Sequence, residues 1–222
     1  MMSMMPSAPP AAHDSNIDTI LTLPEQMDAL SIADACRVTA LAFLNESDRW
    51  GKAELAMWLM GPYAQLTQYV SPFSRRRTSD GQPLPVPMLR EIDARMVDRV
   101  IRNARQEVIA TLQRLKDAEG GPSFAFGMLA AGYVARCEDR GHIAGWVPTS
   151  DARRLADRVL SLLAADFLAR PSDYETDLVF CSQCSTIEFD AIARIRGICH
   201  RHASGMFSPR RTSTLPYFPE GA

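Results

Sequence analysis

The sequence predicts a mainly α protein: a multi-helix body with one long central helix, followed by a small C-terminal module of a different kind. Three observations carry this expectation. Apolar residues recur at three- and four-residue steps through most of residues 25 to 171. One such run continues without a break from Pro87 to Gly120. Residues 181 to 202, "CSQCSTIEFDAIARIRGICHRH", then hold three of the five cysteines and two of the four histidines.

The elements are read in order. Residues 1 to 24 are rich in Met, Pro, Ala and Ser and read as a disordered leader. It lacks the basic start and apolar stretch of a secretory signal. Ser31 followed by Asp34 is a capping-box-like helix start, after which Ile32, Cys36, Leu41 and Leu44 form an apolar stripe. Ser47 is placed to cap a second helix carrying Leu55, Trp58 and Leu59. Gly61-Pro62 must break or kink it, because proline has no N–H and its ring clashes with the preceding turn. Residues 71 to 86, "SPFSRRRTSDGQPLPV", form the clearest internal loop.

The long helix is expected from Pro87, with proline at its start and glycine at its end. Leu89, Ile92, Met96, Val100, Ala104, Val108, Leu112 and Leu115 mark its apolar face, opposite Arg, Asp and Glu. "PSFAFGMLAAGYVARCEDRG" reads as a further helix containing Gly127 and Gly132, and "HIAGWVPT" as a connection. Ser150 is expected to cap the next helix, with Leu155, Val159, Leu162, Leu163 and Phe167 on its buried side and Pro171 at its end. Cys36, Cys137 and the three tryptophans are expected to be packing residues. The chain thus divides into the leader (1–24), an all-helical domain (25–175), a metal-binding module (176–206) and a basic, proline-containing tail (207–222).

The module rests on four candidate metal ligands: Cys181, Cys184, Cys199 and His202. Two residues separate the members of each pair, which lets both side chains turn onto one ion, and fourteen residues separate the pairs, enough to bring the second back to the first. Three thiolates and an imidazole suit zinc, and four protein ligands close its coordination, so the expected zinc is structural rather than catalytic. An iron–sulfur cluster would prefer a fourth cysteine. His200 is a rival for the fourth position, but only His202 repeats the two-residue gap. "DLVF" and "TIEF" suggest a knuckle between two short strands. "ARIRGI" then delivers the second pair either from another strand, giving a zinc-ribbon-like module, or from a helix marked by Phe189, Ile192, Ile195 and Ile198; Gly197 tips the reading to the ribbon. A helical body followed by a four-ligand C-terminal site is similar in layout to the bacterial flagellar master-regulator C subunit, which has a fourth cysteine where this chain has His202.

Composition limits the function. With net charge −2 and pI about 6.1, no global basic field recruits nucleic acid or membrane. No run approaches the roughly 20 apolar residues that span a bilayer. An odd number of cysteines, clustered with histidine, fits a reducing cytoplasm better than a disulfide framework. No phosphate-binding loop, dinucleotide fingerprint, H-E-x-x-H or G-x-S-x-G is present, so no enzyme is expected.

Charge is nonetheless uneven. "FSRRRTS" at 73–79 and "FSPRRTS" at 207–213 match at six of seven positions. Arg75, Arg76, Arg77, Arg210 and Arg211 are therefore candidate phosphate contacts, and Thr78, Ser79, Thr212 and Ser213 candidate phosphorylation sites. The sequence expectation is a zinc-stabilised regulatory protein contacting nucleic acid through the C-terminal module and these loops. The alternative is a protein-interaction adaptor built on the helical body.

Overall fold

The structure, a computed structural model, describes residues 29–68, 96–117, 121–139 and 142–204, without the side chains of 29, 138, 139 and 142–144. The leader, the 71–86 loop and the 207–222 tail lie outside the described residues, and with them all five candidate phosphate-contact arginines and the four candidate phosphorylation sites.

Helix α1 (Ala29–Glu46) buries Ile32, Cys36, Ala40, Phe43 and Leu44. It is already helical at Ala29, so Ser31 and Asp34 lie inside it rather than at its cap. A 3-10 turn, Ser47–Arg49, leads to α2 (Lys52–Trp58). Ser47 belongs to that turn; the start of α2 is held by Glu54, whose carboxylate accepts from the Gly51 N–H at 2.9 Å. Gly61-Pro62 does break the helix: Leu59–Tyr63 is a widened turn with Gly61 at φ −91°, ψ −106°, after which α3 (Ala64–Thr67) resumes. Trp58, Phe43 and Tyr63 pack ring to ring at 5.3 and 5.5 Å, and the Trp58 indole N–H donates to the Thr39 carbonyl.

Helix α4 (Val97–Lys116) is the described part of the expected long helix. Ala104, Val108, Leu112 and Leu115 are buried on one stripe as expected, but the stripe begins with Val97 and Ile101 rather than with Met96, which is exposed, and Val100, which is half-buried; Leu89 and Ile92 lie outside the described residues. It is not the centre of the body. That place belongs to α6 (Leu155–Ala169), in which every residue from Ala156 to Phe167 is buried. α6 packs against α1, α4 and α5 (Gly121–Ala130), with a β-hairpin alongside. A helix apolar nearly all round can be stable only when surrounded, whereas the charged outer face of α4 keeps it at the periphery. α6 begins at Leu155, so Ser150 lies in the preceding turn and is not its cap. Pro171 does mark its end, as the first residue of α7 (Pro171–Thr176).

The largest departure from expectation follows α5. The helix stops at Ala130 with Gly132 in the left-handed region (φ +73°). The Tyr133 N–H bonds back to the Met128 carbonyl and the Gly132 N–H to that of Leu129, a Schellman closure. "VARCED" is therefore strand β1 (Val134–Asp139) and "HIAGWVP" is β2 (His142–Pro148), an antiparallel hairpin with a bulge after Cys137. Cys137 is buried as expected, but on a strand. Thr149 fastens the hairpin to both neighbours, donating from Oγ1 to the Gly132 carbonyl at 2.7 Å and accepting from the Tyr63 hydroxyl at its own carbonyl at 2.9 Å. No helix among the described residues is long and apolar enough to cross a membrane.

One buried carboxylate ties the body together. Asp166 on α6 is 0% exposed. Its Oδ2 accepts from Arg37 Nε of α1 at 2.8 Å and its Oδ1 from Arg170 Nη2 at 2.7 Å. The Tyr174 hydroxyl of α7 sits 2.8 Å from Oδ2 and 2.9 Å from the Leu163 carbonyl oxygen. Burial and the adjacent Asp166 charge push the Tyr174 hydroxyl well above its ordinary pKa, so it remains a proton donor. Removing the carboxylate takes away the one fully buried counter-charge that both guanidinium groups share, leaving them only the more exposed Asp173 and Asp34. Asp166→Ala is expected to cost about 3–5 kcal/mol, read as a lower urea midpoint at constant slope. A loss below about 1 kcal/mol would show that the cluster contributes no more than an exposed pair.

Candidate metal centre

After α7 the chain forms a short antiparallel hairpin, β3 (Leu178–Phe180) and β4 (Ile187–Phe189), paired Leu178 with Phe189 and Phe180 with Ile187. Cys181 leaves β3 with its N–H bonded to the Thr186 carbonyl, and Ser185 bonds back to the Cys181 carbonyl with φ +59°. This tight turn carries Cys181 and Cys184. The second pair does not arrive on a strand. Asp190 caps α8 (Ala191–Arg196) by accepting from the Ala193 N–H at 2.7 Å, and Gly197 stops it at φ +67°. Cys199 then caps the single turn α9 (His200–Ala203), which holds His202. The ribbon expectation gives way to the helical alternative, and Gly197 serves as a left-handed helix stop rather than a strand residue.

The four donor atoms of Cys181, Cys184, Cys199 and His202 all lie within 4.8 Å of one another. Cys184 Sγ to Cys199 Sγ is 3.6 Å, and His202 Nδ1 is 3.2 Å from Cys199 Sγ and 3.4 Å from Cys181 Sγ. A tetrahedral ion with metal–sulfur bonds near 2.3 Å and metal–nitrogen bonds near 2.0 Å has edges of about 3.5–3.8 Å, so the donor set fits zinc in size and in chemistry. His202 rather than His200 faces the sulfurs. His200 is exposed and lies outside the donor group, and its main-chain N–H donates to Glu188 Oε1 at 2.7 Å. That contact also gives Glu188 a structural task.

The electrostatics of the two buried thiols differ. Burial opposes ionisation of Cys181, but main-chain N–H groups of Cys199, Gln183 and Cys184 aimed at its sulfur outweigh it and hold the thiol down at about 6. Burial pushes Cys199 up to about 11, reinforced by the neighbouring sulfurs, against a main-chain bond from His202. In the metal-free site Cys181 therefore ionises more readily than Cys199.

The module is fastened to the helical body by contacts that sequence reading missed. The Asn45 side chain of α1 donates to the Ile187 carbonyl at 2.8 Å and accepts from the Ile187 N–H at 2.9 Å. Arg194 of α8 donates to the Leu178 carbonyl at 2.6 Å. Ser182 bonds to the Gly197 carbonyl through both its N–H and its hydroxyl, drawing the knuckle to the end of α8. Leu178 and Ile187 belong to the same core as α1 and α6. A lone Asn at a helix end carries no sequence signal for such a clamp; Asp190 and Gly197, which bracket α8 as cap and stop, do. No protein-family model matches the chain, and neither a curated protein nor a solved structure matches it significantly.

The ligand assignment predicts that cobalt(II), which reports tetrahedral thiolate ligation by its visible absorption, binds His200→Ala normally and His202→Ala far more weakly. The reverse result would exchange the two histidines. The pH dependence also has a definite sign. Metal binding must displace the Cys199 proton, and as pH falls toward 6 that of Cys181 as well, so apparent affinity falls from pH 8 to 6 while protons released per ion rise. Titration calorimetry in buffers of different ionisation enthalpy measures that release.

Proposed function

We propose that this chain is a non-enzymatic, zinc-stabilised regulatory adaptor whose C-terminal module presents α8 to a protein partner. Zinc fits the donor set, and four protein ligands leave no open position for substrate or water. Its role is to fix a segment too small to hold itself: α8 has six residues and α9 four. In this reading the helical body (25–175) is the platform and the zinc module (176–206) the reader, in a cytoplasm where thiols stay reduced.

The observation that carries this reading is the direction of α8. Ala193 is buried, while Ile192 is 62% and Ile195 87% exposed. With Arg196 they stand at i, i+3 and i+4, which places all three on one helix face. Two isoleucines held in water on a zinc-fixed helix are anchors of the kind that dock into an apolar groove. Residues 191–204 contain Arg194, Arg196 and Arg201 and no carboxylate, so a partner bearing acidic groups around that groove is favoured.

The same acid-free stretch supports a second reading, contact with nucleic acid, in which Arg196 and Arg201 join Arg75, Arg76, Arg77, Arg210 and Arg211 as phosphate contacts. One experiment separates the two. The protein and an Ile192→Asp/Ile195→Asp variant are used to recover partners from native lysate, with and without nuclease. The adaptor reading expects the variant to keep its metal and melting temperature and to lose a nuclease-resistant partner. An identical partner set for both proteins rejects it. Recovery abolished by nuclease, with steeply salt-dependent binding of labelled oligonucleotides, favours the second reading.

A further inference from the structure

The 3-10 turn Ser47–Arg49 and the first turns of α4 line an open cavity of about 430 Å3, in the size range of small-molecule sites and apart from the metal centre. Its buried lining is Ser47 and Ile101. Its outer lining carries the guanidinium groups of Arg49, Arg102 and Arg105 and the carboxylates of Asp48 and Asp98. Two features are unusual. Ser47 is 1% exposed, and its hydroxyl has no hydrogen-bond partner. A buried unpaired hydroxyl destabilises a fold and calls for a partner that the polypeptide does not supply. In addition, among the described residues, no ion pair joins either carboxylate to any of the three guanidinium groups. Arg105 is the fixed member, since Nε and Nη2 both donate to the Leu44 carbonyl, at 3.0 and 2.7 Å, leaving Nη1 for another acceptor.

We propose that this cavity binds a small sugar phosphomonoester. The phosphate oxygens accept from Arg49, Arg102, Arg105 and the Ser47 hydroxyl, and the sugar hydroxyls donate to Asp48 and Asp98. The chemistry selects this class. Three guanidinium groups match the several oxygens of a phosphate dianion through paired N–H bonds. They repel a simple cation. The two carboxylates disfavour a bare polyanion but suit a ligand whose other end carries hydroxyl donors. Binding here is independent of the adaptor reading, because the site lies on the Ser47–Arg49 turn and α4 and shares no residue with α8.

The test uses the full-length, metal-loaded protein with ribose 5-phosphate, ribose and inorganic phosphate as probes at constant ionic strength. Calorimetry measures affinity and thermal unfolding measures stabilisation. Ribose 5-phosphate is expected to bind saturably, and about tenfold or more tightly than ribose. Arg102→Gln, at an exposed position, should keep the ligand-free melting temperature and weaken ribose 5-phosphate by about tenfold. Asp98→Asn should weaken ribose 5-phosphate while leaving inorganic phosphate unchanged or tighter. Ser47→Ala should leave the ligand-free protein as stable or more so, because it removes an unpaired hydroxyl, and should weaken both phosphates. Amide shifts induced by the ligand should cluster at 47–49 and 101–105. No saturable binding of ribose 5-phosphate up to about 10 mM overturns the proposal, as does binding that survives Arg102→Gln together with Arg49→Gln unchanged. Amide shifts confined to other segments also overturn it.

Discussion

The buried carboxylate of Asp166 is the constraint on which the arrangement of this molecule depends. α6 is apolar on nearly every side, and apolar burial alone would let its neighbours slide and rotate against it. A charge at its C-terminal end that must be matched by Arg37 of α1 and by Arg170 cannot slide, because a displaced partner leaves an unpaired ion in a dry site. The register of α1 on α6 is thereby set, and α7 is set with it through Tyr174 and through Asp173, which accepts from Arg37 Nη2 at 2.8 Å. The link continues into the metal module. The Arg37 guanidinium lies 4.1 Å from the Phe189 ring centroid, and Tyr174 meets the same ring edge-on at 4.8 Å. A metal-binding hairpin and a helical bundle are thus joined by one contiguous set of side chains.

That continuity would give a metal held by this donor group a wider role than closing a loop. Bound there, it would fix Cys199 and His202 relative to Cys181 and so the end of α8, which reaches back to β3 through Arg194. The outward face of α8 is thus oriented with respect to the whole body. Any partner reading Ile192 and Ile195 reads a rigid surface, so little ordering entropy is lost on contact.

The sequence carried the ligand set most clearly, because two C-x2 spacings and a matching intervening length are geometric constraints visible without a structure. It carried the helices with strong periodicity, α1, α4 and α6, and the break at Gly61-Pro62. It did not carry the β1–β2 hairpin. Val134 and Cys137 are spaced as on a helix, and the charged "ARCED" has little of the β-branched character of a strand; the usable signal was Gly132, whose place as a helix stop changes the reading of everything after it. Which helix is central was also hidden, since a long amphipathic helix looks more prominent in sequence than a shorter one that is apolar all round. The direction of α8 was the subtlest case. Ile192, Ile195 and Ile198 have the spacing of a core stripe, yet α8, which packs on β3, buries Ala193 and leaves Ile192 and Ile195 exposed. The pairings of Arg37 with Asp166 and of Asn45 with Ile187 were unreadable, because the partners lie 129 and 142 residues apart in the chain.

The Asn45 clamp has one more consequence. A two-stranded sheet has two open edges, each a row of unpaired main-chain groups on which another chain can add a strand. By giving Ile187 both an acceptor and a donor, the Asn45 carboxamide behaves as a one-residue stand-in for a third strand at the first residue of β4. Only one orientation of the amide satisfies both bonds, so the plug is directional. A helix end thereby occupies the main-chain groups of Ile187 that an added strand would need, without a proline, a bulge or a lysine on the strand itself.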